Sequence, residues 1–180
     1  DERATGFLMP TYGASLLRQQ WPGALVVGCD LAPAMTRKAR ARGIATVCGD
    51  LEHLPFADAS FELVWSSLAL QWCQPARAYA ELQRVLAPSG QLVFTTLAPG
   101  TLHELESAFA GIDTHRRVLP FAPVQEVETA LAAAGFEHVN LACERWVKKV
   151  VIVLDDDPAP GCGVASGLPL PQRVVNAILF

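Results

Sequence analysis

Gly49-Asp50-Leu51-Glu52-His53-Leu54-Pro55-Phe56, running on into Phe61-Glu62-Leu63-Val64-Trp65-Ser66-Ser67-Leu68-Ala69-Leu70-Gln71-Trp72-Cys73, decides how this chain is read. The first half has the wording of a strand end with an exposed carboxylate, followed by a short proline turn. The second half is a buried strand that opens into a polar loop. Strand ends of this kind, side by side at the carboxyl edge of a parallel sheet, leave a crevice suited to an adenosine-like ligand.

On both sides of this stretch the apolar residues switch between a helical and a strand period, the signature of βαβ units. Residues 24–29 form a continuous apolar run ending in Asp30, which reads as a buried parallel strand. Pro33 to Arg42 reads as a helix with proline in its first turn and Gly43 as its stop. Ile44 to Cys48 and Phe61 to Trp65 are strands. Helices are expected over 11–20, 74–86, 101–112 and 123–134, the last stopped by Gly135. Pro88-Ser89-Gly90 turns the chain into a strand over 91–97, and strands over 136–146 and 150–154 read as a closing antiparallel pair. The expected fold class is α/β, a doubly wound, Rossmann-like and mostly parallel sheet. Residues 1–154 form its core, and residues 155–180, rich in proline and glycine, read as an irregular tail with little share in that core.

A chain of 180 residues suffices for one well-buried core and is short for two. With 51% hydrophobic and 18% charged residues it is a compact globular sequence rather than a disordered one. Its net charge of −4 offers no basic face to a phosphate backbone, which argues against nucleic acid as a partner. Five cysteines, odd in number and without a CxxC pair, point away from a zinc site or a disulfide framework. Reduced thiols in a cytoplasm are the expectation. No run has the length of a membrane span, and Asp1-Glu2-Arg3 carries no signal-peptide pattern.

The chemistry centres on two acids. Asp30 closes one strand and Asp50 the next, with a helix between them. A carboxylate at the first place can accept hydrogen bonds from both ribose hydroxyls. A polar group at the second can take an adenine amino group, and Leu51 offers an apolar face for the ring. One acid at a strand end is weak evidence, because Asp commonly ends strands in turns. The pair, with this spacing and surrounding wording, is stronger. Asp155-Asp156-Asp157 has no phosphate-binding loop to partner it and reads as a solvated turn. His53 reads as a surface histidine at a turn, and Phe121, Phe136 and Trp146 as core.

These segments resemble the class I S-adenosylmethionine-dependent methyltransferases. Leu68 to Cys73, the strand end Phe94-Thr95-Thr96-Leu97 and Gly100-Thr101-Leu102-His103-Glu104-Leu105 resemble the malonyl-acyl-carrier-protein O-methyltransferases of biotin synthesis. The resemblance implies S-adenosylmethionine as cofactor, with Asp30 and its neighbour Leu31 at the ribose and Asp50 and Leu51 flanking adenine. It places Ser66, Ser67 and Leu68 beside the reacting sulfonium, with Ser66 among the cofactor contacts and Ser67 and Leu68 on the substrate side. Gln71 and Trp72 could wall and orient the acyl end, although a core tryptophan is an equal reading. The implied substrate is an acyl carrier protein or coenzyme A thioester. Because the carrier is acidic, docking would need a basic patch, for which Arg37, Lys38, Arg40 and Arg42 are candidates against the plainer reading of a solvated helix face. No catalytic side chain, metal ligand or oligomeric state is implied.

The chain departs from the pattern at both ends. The family holds the methionine half of its cofactor with a glycine-rich loop, Asp-x-Gly-x-Gly-x-Gly, after its first strand. Here only Ala4-Thr5-Gly6 resembles the end of that loop, which makes Gly6 the remaining cofactor candidate there, and Glu2 and Arg3 stand where small residues are expected. The central first strand and the covering amino-terminal helix are expected to be missing, and the wording diverges after Val147. Alternatives are a methyltransferase for another small molecule, such as a quinone precursor, and a non-catalytic remnant of the fold. A nicotinamide oxidoreductase lacks the G-x-G-x-x-G it would need.

Overall fold

A computed structural model of the chain describes residues 9–110, 112, 118–144, 149–154 and 176–179. In chain order the elements are α1 (Met9–Gln20), β1 (Leu25–Asp30), α2 (Pro33–Ala41), β2 (Ala45–Cys48), β3 (Phe61–Ser67), α3 (Pro75–Val85), β4 (Leu86–Leu97), α4 (His103–Phe109), α5 (Val124–Ala133), β5 (Val139–Glu144), β6 (Lys149–Leu154) and β7 (Asn176–Leu179). The strands form one sheet in the order β2-β1-β7-β3-β4-β6-β5. The first five in that order run parallel, and β6 is antiparallel to both β4 and β5. This is the doubly wound sheet with an antiparallel closing pair that the periodicity predicts.

Helices form where local rules favour them. α2 and α3 each begin on proline, whose fixed φ suits the first turn and whose missing N–H has no partner to lose there. α3 then buries Ala78, Tyr79, Leu82 and Val85, a three- and four-residue spacing that lines one helix face. α5 buries Val127 and Leu131, and Gly135 at φ +96° ends its run.

Successive residues on β3 feed opposite faces of the sheet. Val64 packs with Leu51, Tyr79, Leu82, Phe94 and Leu131 under α3 and α5. Leu63 joins Leu17, Trp21, Val26, Ile44 and Val93 on the face that α1 covers. Helices on both faces make the molecule three layers deep, and burying each large side chain contributes about 1.5–3 kcal/mol.

Three readings are corrected by the structure. The irregular tail expected over 155–180 ends in a strand, Asn176–Leu179, although residues 155–175 lie outside the described residues. The strand expected to be missing has its place filled. β7 runs parallel between β1 and β3, pairing Val27 with Ile178 on one side and Val64 with Ile178 on the other. The backbone groups that a vacant centre would strand are therefore met by the chain's own last strand. Finally, Pro88-Ser89-Gly90 is an irregularity inside β4 rather than a turn before it. Phe61 pairs with Leu86 and Leu63 with Gln91, so β4 advances by more residues than β3, with Ser89 at φ +61°.

Candidate active site

The sheet reverses its winding at β7: β1 and β2 lie to one side and β3 and β4 to the other. Ligand crevices form at the carboxyl ends of strands at such a reversal. Most of the residues singled out in the sequence stand at this end.

Asp30 and Cys48 pair across β1 and β2, and Gly49 then donates its amide to the Asp30 carbonyl at 3.2 Å. That bond carries the pairing one step past β2 and delivers Asp50 next to Asp30. Each acid is oriented by its own turn. One oxygen of Asp30 accepts the Ala32 amide at 2.7 Å, and one oxygen of Asp50 accepts the Glu52 amide at 2.9 Å. The second oxygen of Asp50 lies 3.8 Å from Nδ1 of His53, an exposed histidine as the sequence suggests. Both carboxylates act on the Cys29 thiol beneath them. Burial, then the charge of Asp30, Cys48 and Asp50, pushes that thiol from 9.0 up to about 12.

The apolar part of the crevice differs from expectation. Leu51 is 8% exposed and packs in the core cluster, so it offers no open face to a ring. Leu31, which follows Asp30, is 69% exposed. The turn after Asp50 folds its next residue inward, whereas the turn after Asp30 leaves its next residue outside.

Across the reversal, the loop after β3 is held by β4. Ser67 Oγ lies 3.1 Å from Thr95 Oγ1, and the Leu68 amide donates to the Thr95 carbonyl at 2.9 Å. Leu68 sits at φ +56°, a conformation that L residues avoid without support. Gln71 supplies support. Its amide nitrogen donates to the Leu68 carbonyl at 2.6 Å, and its amide oxygen accepts from Thr96 Oγ1 at 3.5 Å. Trp72 is 72% exposed, so the core reading of this tryptophan is corrected. Ser66 is fully buried, and its hydroxyl has no hydrogen-bond partner among the described residues. Gly6 and Trp146 lie outside the described residues. Phe136 is buried as read, and Phe121 is half-buried.

The sequence did not single out three groups that shape this end. Glu52 accepts the Gln74 amide at 2.7 Å; Glu81 and Arg84 on α3 grip the turn that follows Asp50. The three-residue spacing of Glu81 and Arg84 on one helix face, Glu81-Leu82-Gln83-Arg84, was the available signal for that pair. On α2, Arg40 donates to the Thr46 carbonyl and hydroxyl, and Arg37, Lys38 and Arg40 are all exposed.

Among the described residues no cluster of three or more His, Cys, Asp or Glu could hold a metal, and no helix is long and apolar enough to cross a membrane. A cavity of 540 Å³ lies at the amino ends of β3 and β4, lined by residues such as Gln83, Ser89 and His138, and contains none of the crevice residues. Among the described residues the crevice presents no nucleophile–base pair. What it can do is hold a polar nucleoside by two acids and an apolar rim.

A methyltransferase-domain family matches residues 10–94. The malonyl-[acyl-carrier protein] O-methyltransferase of Herminiimonas arsenicoxydans is 62% identical over 134 residues, covering 74% of this chain and 52% of that protein. Its counterpart in Laribacter hongkongensis is 46% identical over 150 residues, covering 76% and 50%. The chain thus spans about half the length of the curated relatives it matches. Among solved structures, a SAM-dependent methyltransferase from Thermotoga maritima aligns with a TM-score of 0.59 at 19% identity, covering 84% of this chain and 89% of that one. An S-adenosylmethionine-dependent methyltransferase from Mesorhizobium loti aligns at 0.54 and 20% identity, covering 78% and 96%. The likeness to these two structures is one of fold. With the sequence relatives and the domain match, it places this chain in the class I S-adenosylmethionine-dependent methyltransferase family.

Proposed function

We propose that this chain is the cofactor-binding core of a methyltransferase that esterifies the free carboxylate of a malonyl thioester, carried on acyl carrier protein or coenzyme A, in biotin synthesis. The observation that carries the reading is the pair of acid-bearing strand ends joined by the Gly49–Asp30 hydrogen bond at the winding reversal. The relatives' printed activity supplies the acceptor. Free thiols at Cys29, Cys48 and Cys73 suit a cytoplasmic setting.

The residues present fit the nucleoside half of the cofactor. Asp30 keeps one carboxylate oxygen clear of its own turn for ribose hydroxyls, Asp50 can accept from the adenine amino group, and Leu31 can cover the ring. When bound, S-adenosylmethionine supplies an activated methyl group that a carboxylate oxygen can accept without a base. The protein's task is then to align donor and acceptor and to keep water out. Gln71, whose amide nitrogen holds the Leu68 carbonyl while its oxygen accepts from Thr96 of β4, serves by holding Leu68 in place; Ser67 and Leu68 border the transfer site. Trp72, exposed on that loop, is the wall offered to an acyl arm.

The test is intact-mass analysis of malonyl carrier protein after incubation with S-adenosylmethionine and this chain. A gain of one CH2 unit on the carrier, lost with D30A, supports the proposal. Methylation of a quinone precursor but not of the carrier would select the small-molecule alternative. Absence of any heat on titration with S-adenosylhomocysteine would select the non-catalytic remnant.

A further inference from the structure

The turn that carries Asp50 is pinned at both ends. Gly49 anchors its start to β1. Its far end, at Leu54, is seized by α3. The Leu54 amide donates to Glu81 Oε2 at 2.7 Å, and the Leu54 carbonyl accepts from Arg84 Nη2 at 3.0 Å. Arg84 Nη1 also donates to the Phe56 carbonyl at 2.8 Å and to Asp58 at 2.7 Å. Arg84 and Glu81 meet side-on through two hydrogen bonds of 2.8 and 2.7 Å. Both peptide groups of Leu54 are therefore held by one ion pair, and the Leu54 side chain is buried.

A turn whose only duty is to connect β2 to β3 does not need this. Charge-assisted, bidentate contacts fix direction as well as position. Here the direction fixed is that of the segment from Asp50 to Leu54. The same helix reaches the turn a second time, where Glu52 accepts the Gln74 amide and lies 3.8 Å from Arg77. The Glu81 carboxyl is held below its usual range, first by its hydrogen bond with Arg84, so the pair stays charged at neutral pH.

We propose that Glu81 and Arg84 are positioning residues for nucleoside binding: they act through the Leu54 peptide to hold the Asp50 carboxylate in the crevice. The proposal rests on the crevice reading given above. It predicts that the pair governs cofactor affinity and leaves the rate at saturating cofactor nearly unchanged.

The experiment is calorimetric titration of S-adenosylhomocysteine into the parent, R84K, R84M, E81Q, D50N and D50N/R84M, with amide hydrogen exchange on each. R84M should weaken binding about tenfold or more, the scale of a lost charged hydrogen bond. R84K should recover part of that loss. Within D50N, adding R84M should cost less than about twofold, because both act through one contact. The Leu54 amide should exchange faster in R84M while Leu92 and Phe94 in β4 keep their protection. An equal loss in both backgrounds, or unaltered affinity in R84M, overturns the proposal while the crevice reading stands. A parent that binds nothing overturns the crevice reading; an unchanged Leu54 amide in R84M then overturns the clamp as well. Should R84M fail to fold, E81Q, which keeps the shape and removes the charge, carries the same comparison when measured alone and as D50N/E81Q.

Discussion

Gly49 donates its amide to the carbonyl of Asp30 across 3.2 Å, and this bond sets how far apart two acid-bearing strand ends stand. The approach is so close that no side chain fits at Gly49. A Cβ there would come within 2.9 Å of Pro55 Cδ and 3.0 Å of Cys29 Sγ. Neither neighbour can yield easily, since Pro55 is a rigid ring and Cys29 is buried. G49A should therefore cost about 1–3 kcal/mol of stability, as overpacking does. Urea unfolding followed by tryptophan fluorescence checks this; an unchanged midpoint would show that the strand ends can separate freely.

Ser66 offers the opposite experiment. Its hydroxyl is buried without a hydrogen-bond partner among the described residues, a state that costs about 1–3 kcal/mol. S66A removes the stranded group. It should leave the thermal midpoint equal or higher and S-adenosylhomocysteine affinity within about twofold of the parent. A marked loss of affinity would instead make this hydroxyl a cofactor contact, as the family resemblance implies.

The thiols give a pH-dependent prediction. Burial, followed by nearby carboxylates, pushes Cys29 up to about 12 and Cys73 up to about 11 from an ordinary 9.0. In the folded protein both stay protonated well past the point where the unfolded chain ionises. Their contribution to stability is thus full below pH 9 and is lost as pH rises through 11 to 12. At pH 8, peptide mapping after brief alkylation should find the exposed Cys48 labelled well ahead of Cys29 and Cys73. Comparable labelling of Cys29 would mean that this end of the sheet opens readily.

The central strand can be tested through its backbone alone. Ile178 is paired to Val27 of β1 and Val64 of β3. I178P deletes an amide from a strand with neighbours on both sides, where proline is rarely tolerated. The lost hydrogen bond alone should cost about 1–3 kcal/mol, lowering the melting temperature measured by circular dichroism. Melting identical to the parent would show that β7 adds nothing to the sheet.

α2, α3 and α5 were readable in the sequence because their signals are local: a proline at the first turn, apolar residues three and four apart, a glycine or strand residue after. Asp30 and Asp50 were readable for the same reason, as acids directly after apolar strand runs. α4 shows the limit of such signals. The helix expected over 101–112 is shorter, His103–Phe109, and buries no side chain, so little packing exists to extend it. Leu31 and Leu51 have the same local context, an acid just before them, and yet point to opposite environments. The way each turn folds back on its strand, absent from the wording of either, makes the difference.

Local order along the chain, then, settled the α/β class, the parallel strands and the two acids at their tips, because hydrophobic period and turn chemistry act over a few neighbouring residues. Only the tertiary structure decided that Asn176–Leu179 stands inside the sheet between β1 and β3, and that Glu81 and Arg84 hold the Asp50 turn from 27 to 30 residues away. Those placements arise from backbone and side-chain hydrogen bonds between distant segments, whose partners are chosen by the packed sheet and not by sequence neighbours.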